Sequence, residues 1–178
     1  MSIQVFQIGF NKCATTALYN LFARSGVRAL HSGGRHWRRQ GHPAFVGKNP
    51  QLEIHRNILA KRPSLTGYEE FQALFDMEYA RGPELVENFR HFHVFAKEFP
   101  DAKFILNTRD KIDWLRSRAR HGDGKYIMYA MKRMQLSREE VLQAWSDDFD
   151  RHNEKVQKFF LAEKDRLLDL NIDTAEVS

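Results

Sequence analysis

Short apolar runs alternate along the chain with stretches whose apolar positions recur every three or four residues, the pattern of strands interleaved with helices. Ile3 to Ile8 predicts a first strand. It runs into GFNKCATT, after which Ala14, Leu18, Leu21 and Phe22 follow at helical spacing until Gly26. Val27 to His31 predicts a second strand, and the SGGRHWRRQGHP beyond it has turn residues and basic side chains without periodicity, the composition of a loop. Residues 50–62 predict a helix, Leu65 to Tyr68 a short strand, and Pro83 to Phe99 a helix with proline in its first turn. KFILNT, Lys103 to Thr108, is the clearest strand, and Asp110 is placed to cap a following helix with Ile112, Leu115 and Ala119 inward. Ser137 and Glu140 have capping-box spacing at the head of the longest helix, whose stripe is Val141, Trp145, Phe149, Val156 and Phe160. Leu167 to Ile172 predicts the last strand.

Strands alternating with helices imply parallel βαβ units, so the expected fold is α/β: three layers, a parallel sheet with helices on both faces. Such sheets bind ligands at the carboxyl ends of their strands, which makes the strand-to-helix loops the place to look for chemistry. The 178 residues show no repeat, low-complexity tract or linker, and a single domain over 1–178 is expected. One cysteine, Cys13, leaves no internal disulfide or cysteine-cluster zinc site and suits a reducing compartment. Without an apolar run near the ~20 residues of a membrane span, or the opening of a signal peptide, a cytoplasmic location is expected.

Charge adds a preference for anions. There are 28 Lys plus Arg against 23 Asp plus Glu, a formal net charge of +5. The excess is concentrated between Arg35 and Arg62, where seven basic side chains face one acid, Glu53. A local positive field of this kind recruits phosphates, sulfates, nucleic acid or an acidic sugar.

The loop after the first strand, IGFNKCATTAL, lies where a phosphate loop would lie. Free backbone N–H groups and the positive end of the helix would face an anion there, with Lys12 adding a charge and Thr15 and Thr16 adding donors. It is not the nucleoside-triphosphatase pattern, in which lysine directly precedes Ser or Thr; here Lys12 precedes Cys13 and Ala14.

With Lys12, Thr15, Thr16 and Leu18 in place, this string resembles the 5′-phosphosulfate loop of the sulfotransferases that use 3′-phosphoadenosine 5′-phosphosulfate (PAPS), with Ala14 where glycine is usual. That family's second motif is an arginine ending a strand and a serine eight residues on, both contacting the 3′-phosphate; KFILNTRDKIDWLRSR supplies Arg109 and Ser117. The resemblance implies a phosphate-loop nucleotide-binding-like fold, PAPS as co-substrate, and Asn11, Lys12, Cys13, Ala14, Thr15, Thr16, Arg109 and Ser117 as its binding residues. Lys12 would neutralise the leaving phosphate. In similar proteins a further helix follows the strand resembling DRLLDLNI, so this chain is expected to be a short member or to lack a C-terminal segment.

The acceptor would be a hydroxyl or amine of a small molecule or glycan, and a hydroxyl needs a general base. Asp76 in FDMEY ranks first, by its likeness to an acidic segment of relatives; His31, at the carboxyl edge of the second strand, is next; Glu70, beside Glu69 after the third candidate strand, is third. No metal is implied: His91 and His93 are i, i+2 on the predicted helix and face apart. Two other readings stay open. One is a kinase of the same architecture. The other is a nucleic-acid-binding module suggested by RHWRR, although no nucleic acid partner is expected from motifs gathered at strand ends.

Overall fold

The computed structural model describes residues 4–174. Five strands, β1 (Val5–Gln7), β2 (Ala29–His31), β3 (Ala73–Phe75), β6 (Lys103–Thr108) and β7 (Leu167–Asn171), form one sheet in the order β2-β3-β1-β6-β7. Every pairing in it is parallel. Side chains alternate across it: Phe6, Leu74, Phe104 and Leu106 enter the larger core, whereas Ala73, Phe75 and Ile105 face the other side. The smaller face is covered by α1 (Thr15–Arg24) through Leu18, Tyr19 and Phe22. The larger is covered by α3 (Pro50–Leu59), α4 (Phe92–Glu98), α5 (Lys111–Arg120), α6 (Lys125–Met134) and α7 (Arg138–Phe159). The expected three-layer α/β architecture is what the chain adopts.

Strand β1 lies between β3 and β6, which makes its carboxyl end the point where the chain's path across the sheet reverses and a crevice opens. Asp110 caps α5 by accepting from the Asp113 N–H, and the Ser137–Glu140 capping box opens α7.

Five local expectations fail. Residues 83–99 are not one helix: Gly82, with φ 57°, and Pro83 turn a hairpin between β4 (Glu78–Arg81) and β5 (Glu84–Glu87), and only α4 is helical thereafter. Gly-Pro at the two turn positions is hairpin chemistry that also passes for a helix start. Leu65 to Tyr68 is a run of turns, with Tyr68 N–H bonded to the Leu65 carbonyl, and the strand begins only at Ala73. The basic loop contains a short helix, α2 (Arg35–Arg39), anchored by the Trp37 indole N–H on the Ala29 carbonyl at 2.8 Å. On α5 the inward residues are Trp114, Arg118 and Ala119, whereas Ile112 is 57% exposed; Leu21 of α1 is likewise exposed. His91 and His93 do not face apart but lie with ring centroids 6.3 Å apart.

Candidate active site

Three strand ends meet at the crevice, and two buried amides tie them together. Gln7, at the end of β1, donates to the Gly9 carbonyl and to Asn107 Oδ1, both at 2.6 Å, and its own Oε1 accepts from the Asp76 N–H at 2.7 Å. Asn107, near the end of β6, donates in turn to the Cys13 carbonyl. The two side chains are 0% and 1% exposed, so each bond is made in a dry setting where leaving it unmade is expensive. Gly9 fits beneath this latch because it has no side chain: a Cβ there would lie 2.3 Å from the Asn107 carbonyl oxygen. Gly9→Ala is therefore expected to lower stability by about 1–3 kcal/mol, as overpacking does. Urea denaturation checks it, and an unchanged midpoint would refute the latch.

Between the latch and α1 the loop turns inward. Lys12 and Ala14 both have left-handed backbones, φ 65° and 59°. Such a conformation is disfavoured for a residue with a Cβ by about 1–2 kcal/mol, and left-handed residues within a loop are the means by which anion-binding loops gather their N–H groups into one concavity. Ser32 (φ 46°), just past β2, and Asp76 (φ 49°), just past β3, share the strain. All four line one cleft of about 490 Å³, together with Thr15, Thr16, His31 and Ser117. Strain gathered around one cavity marks a surface whose shape is held by the rest of the fold.

A second cleft, of about 720 Å³, adjoins it and is lined by Arg109, Arg116, Ser117 and Arg120. Lys12, Ser117 and His121 belong to both, so Lys12 stands where the two meet. Its ammonium donates to His121 Nδ1 at 3.2 Å. Arg109 leans on the Lys12 carbonyl at 3.4 Å, and its Nε is buried without a partner among the described residues.

The residues expected to bind the donor are thus brought together, with two qualifications of role. Cys13 is wholly buried, lines neither cleft, and burial pushes its thiol up to about 12, so its sulfur is not offered to a ligand. Asn11 donates its amide to Glu78 Oε1 at 2.9 Å and its carbonyl accepts from the Trp114 indole at 3.0 Å, which fixes the loop. Of the candidate bases, Asp76 and His31 both line the cleft, 3.9 Å apart, with His31 Nε2 also 3.4 Å from the Thr16 hydroxyl. Burial raises the Asp76 carboxyl above the usual range, against the opposing fields of His31, His121 and Lys12, and burial lowers His31. Glu70 lies elsewhere, paired with Arg28 and His42, and Glu69 accepts from the Gly67 N–H.

The sequence reading missed Glu78, Arg118, Tyr126 and His121. Arg118 is 2% exposed, donates to the Tyr126 hydroxyl at 2.8 Å and lies 3.3 Å from Glu87; Tyr126 donates to Glu78 Oε1 at 2.7 Å. Burial pushes the Glu78 carboxyl up to about 7 despite Arg118. The one available signal was a serine and an arginine on adjacent positions of α5, of which only the serine belongs to a motif.

The arrangement offers a concave array of donors, a lysine between two clefts, and an acid or imidazole across from it. A family model described as a sulfotransferase domain matches residues 4–134 of this chain. No individual curated protein matches it.

Proposed function

Because the chain belongs to the sulfotransferase domain family, we propose that it moves a sulfuryl group from 3′-phosphoadenosine 5′-phosphosulfate to a hydroxyl or amine of a glycan or small-molecule acceptor. The observation that carries this reading is Lys12 at the junction of the two clefts, with Arg109 in one, Asp76 and His31 in the other, and Ser117 lining both. A donor with a phosphate at each end of its ribose suits that division. The N–H groups of the loop suit the 5′-phosphosulfate, and the Arg109 guanidinium, which lines the second cleft with Asp173 4.0 Å away, suits an incoming 3′-phosphate.

In this scheme the acceptor oxygen attacks sulfur as the bond from sulfur to the 5′-phosphate oxygen breaks, and adenosine 3′,5′-bisphosphate leaves. Lys12 offsets the charge arriving on that phosphate. Thr15 and Thr16 orient the group, and Asp76 takes the acceptor proton, with His31 beside it. Positioning and charge do the work, as in phosphoryl transfer.

Adenosine 3′,5′-bisphosphate is expected to raise the melting temperature without Mg²⁺, and more than ATP does, because a ligand selective for the native state stabilises it by mass action. Arg109→Ala should remove about 1.5–3 kcal/mol of that preference, the worth of a charge-assisted contact, and Ser117→Ala less. Equal shifts with both nucleotides would favour a kinase and refute the donor assignment.

Transfer of radiolabelled sulfate from the donor to a panel of hydroxyl-bearing acceptors tests the reaction itself. In that assay Asp76→Asn should lower turnover by about 10² while leaving bisphosphate affinity intact, since it acts on the acceptor proton. Activity should also fall with acidity through a limb above the ordinary carboxylate range, because burial raises this carboxyl and its protonated form is no base. A silent Asp76→Asn with an inactive His31→Ala would transfer the role to His31.

A further inference from the structure

The basic tract between Arg35 and Arg62 plays no part in the site described so far, yet part of it closes around a separate cavity. We infer that the pocket of about 520 Å³ bounded by Arg38, Lys48, Arg81 and Tyr79 binds the sulfate or carboxylate groups of an acidic saccharide that carries the accepting hydroxyl.

Three positive side chains reach this pocket from three elements: Arg38 from α2, Lys48 from the loop before α3, and Arg81 from β4. Among the described residues none of the three has a carboxylate within salt-bridge distance. The nearby acids already have partners. Glu53 is paired with Arg56 at 2.5 Å, and Glu84, which faces Arg81 across the hairpin, lies 3.4 Å from the Tyr79 hydroxyl as its acceptor. Arg38 does have a structural task, a 2.8 Å bond to the Lys48 carbonyl, which ties the loop before α3 to α2 at the pocket's edge. Unpaired cations grouped around one concavity repel one another, and a polyvalent anion relieves that repulsion.

Strand β4 is the wall between this pocket and the catalytic cleft. Its alternation turns Glu78 and Ala80 toward the cleft and Tyr79 and Arg81 toward the basic pocket. A chain of sugar units passing over the Gly82–Pro83 tip can therefore present a hydroxyl on one side while its acidic groups rest on the other. Tyr79 is half-buried, whereas the pocket's other aromatic, Phe45, is 1% exposed, so one ring has surface to offer; that suits a sugar ring, and single-stranded nucleic acid is held on series of such faces. The saccharide's role as acceptor rests on the sulfotransferase reading, whereas its binding to this pocket does not.

The test is fluorescence-anisotropy binding of a labelled chondroitin sulfate hexasaccharide to the full chain, compared with neutral dextran oligomer, oligothymidine and inorganic sulfate as competitors. The double variant Lys48→Glu with Arg81→Glu leaves the Arg38 bond and the catalytic cleft untouched. It should bind the hexasaccharide about tenfold more weakly at low salt, with the difference shrinking as salt rises. Its affinity for adenosine 3′,5′-bisphosphate should stay within about twofold of the wild type, which shows that it is folded. Undiminished hexasaccharide binding by the variant overturns the inference. So does competition by oligothymidine or dextran as effective as by the saccharide, or displacement by millimolar inorganic sulfate alone, which would mark a free-anion site. Hexasaccharide binding at this pocket without any bisphosphate binding upholds the pocket and refutes the donor assignment, so the two failures are distinguishable.

Discussion

Lys12→Ala is expected to lower sulfuryl transfer by about 10²–10³-fold, the usual consequence of removing one preorganised charge from a transition state. The lysine lies where the two clefts join, and no other lysine lines either of them. The fold should survive the change. Lys12 already occupies a left-handed backbone at φ 65°, and alanine keeps its Cβ, so the strain of that conformation is the same before and after. Its ammonium is partly exposed and among the described residues bonds only to His121, so no described core residue loses a partner. The substitution also has a spectroscopic signature. His121 is lowered from its ordinary value first by burial and then by the Lys12 charge. Removing that charge should move its titration upward, measurable by NMR, with Asp76 continuing to pull in the same direction. Near-wild-type turnover in the purified variant would refute the role of Lys12. A large fall in melting temperature would refute the separation of that role from folding.

Both motifs were legible because each is a property of consecutive residues at a strand-to-helix junction. GFNKCATT and Arg109…Ser117 declare themselves by order and spacing, and the strands that carry them, Val5–Gln7 and Lys103–Thr108, are short apolar runs that lead directly into them. The hairpin was hidden by Gly82-Pro83, whose two residues serve a tight turn and a helix start equally well. The conformation of Ala14 was also out of reach: sequence shows an alanine where glycine is usual, but only the backbone shows that φ is 59° and that the strain is carried. Most of the remaining site is held by pairs far apart in the chain. Gln7 meets Asn107 across 100 positions, Asn11 meets Glu78 across 67, and Tyr126 meets Glu78 across 48. A single sequence gives no signal for such pairs, since each member alone reads as an ordinary polar residue.

The largest effect on stability should come from Arg118. Its guanidinium is 2% exposed and lies 5.0–5.3 Å from the ring centroids of Phe10, Trp114, Tyr126 and Trp145. Within that aromatic enclosure it faces Glu87 at 3.3 Å and Glu78 at 3.7 Å. Arg118→Met keeps much of the volume but leaves Glu78 without its cation, Glu87 retaining Arg90 at 2.6 Å, and breaking a buried pair from one side typically lowers stability by about 3–5 kcal/mol. That is a large part of the 5–15 kcal/mol a typical domain possesses. The deficit should depend on pH with a definite sign. Glu78 is already pushed up to about 7 by burial, with Arg118 the chief opposing influence, so the variant's carboxyl must rise further. A carboxyl whose folded pKa exceeds its unfolded value disfavours folding above that folded pKa, and the penalty fades as pH falls toward the unfolded value. Urea unfolding should therefore show the variant weakest near pH 8.5 and partly recovered near pH 5.5. Adding Glu78→Gln should restore part of the loss at high pH, because the second change removes the charge the first one stranded. Asn11 and Tyr126 both bond to Glu78 and both line the cleft that holds Lys12 and Asp76, so the folded fraction of Arg118→Met should also turn over more slowly. A deficit below about 1 kcal/mol, or one that is flat between the two pH values, would show that the cluster does not act as a buried ion pair.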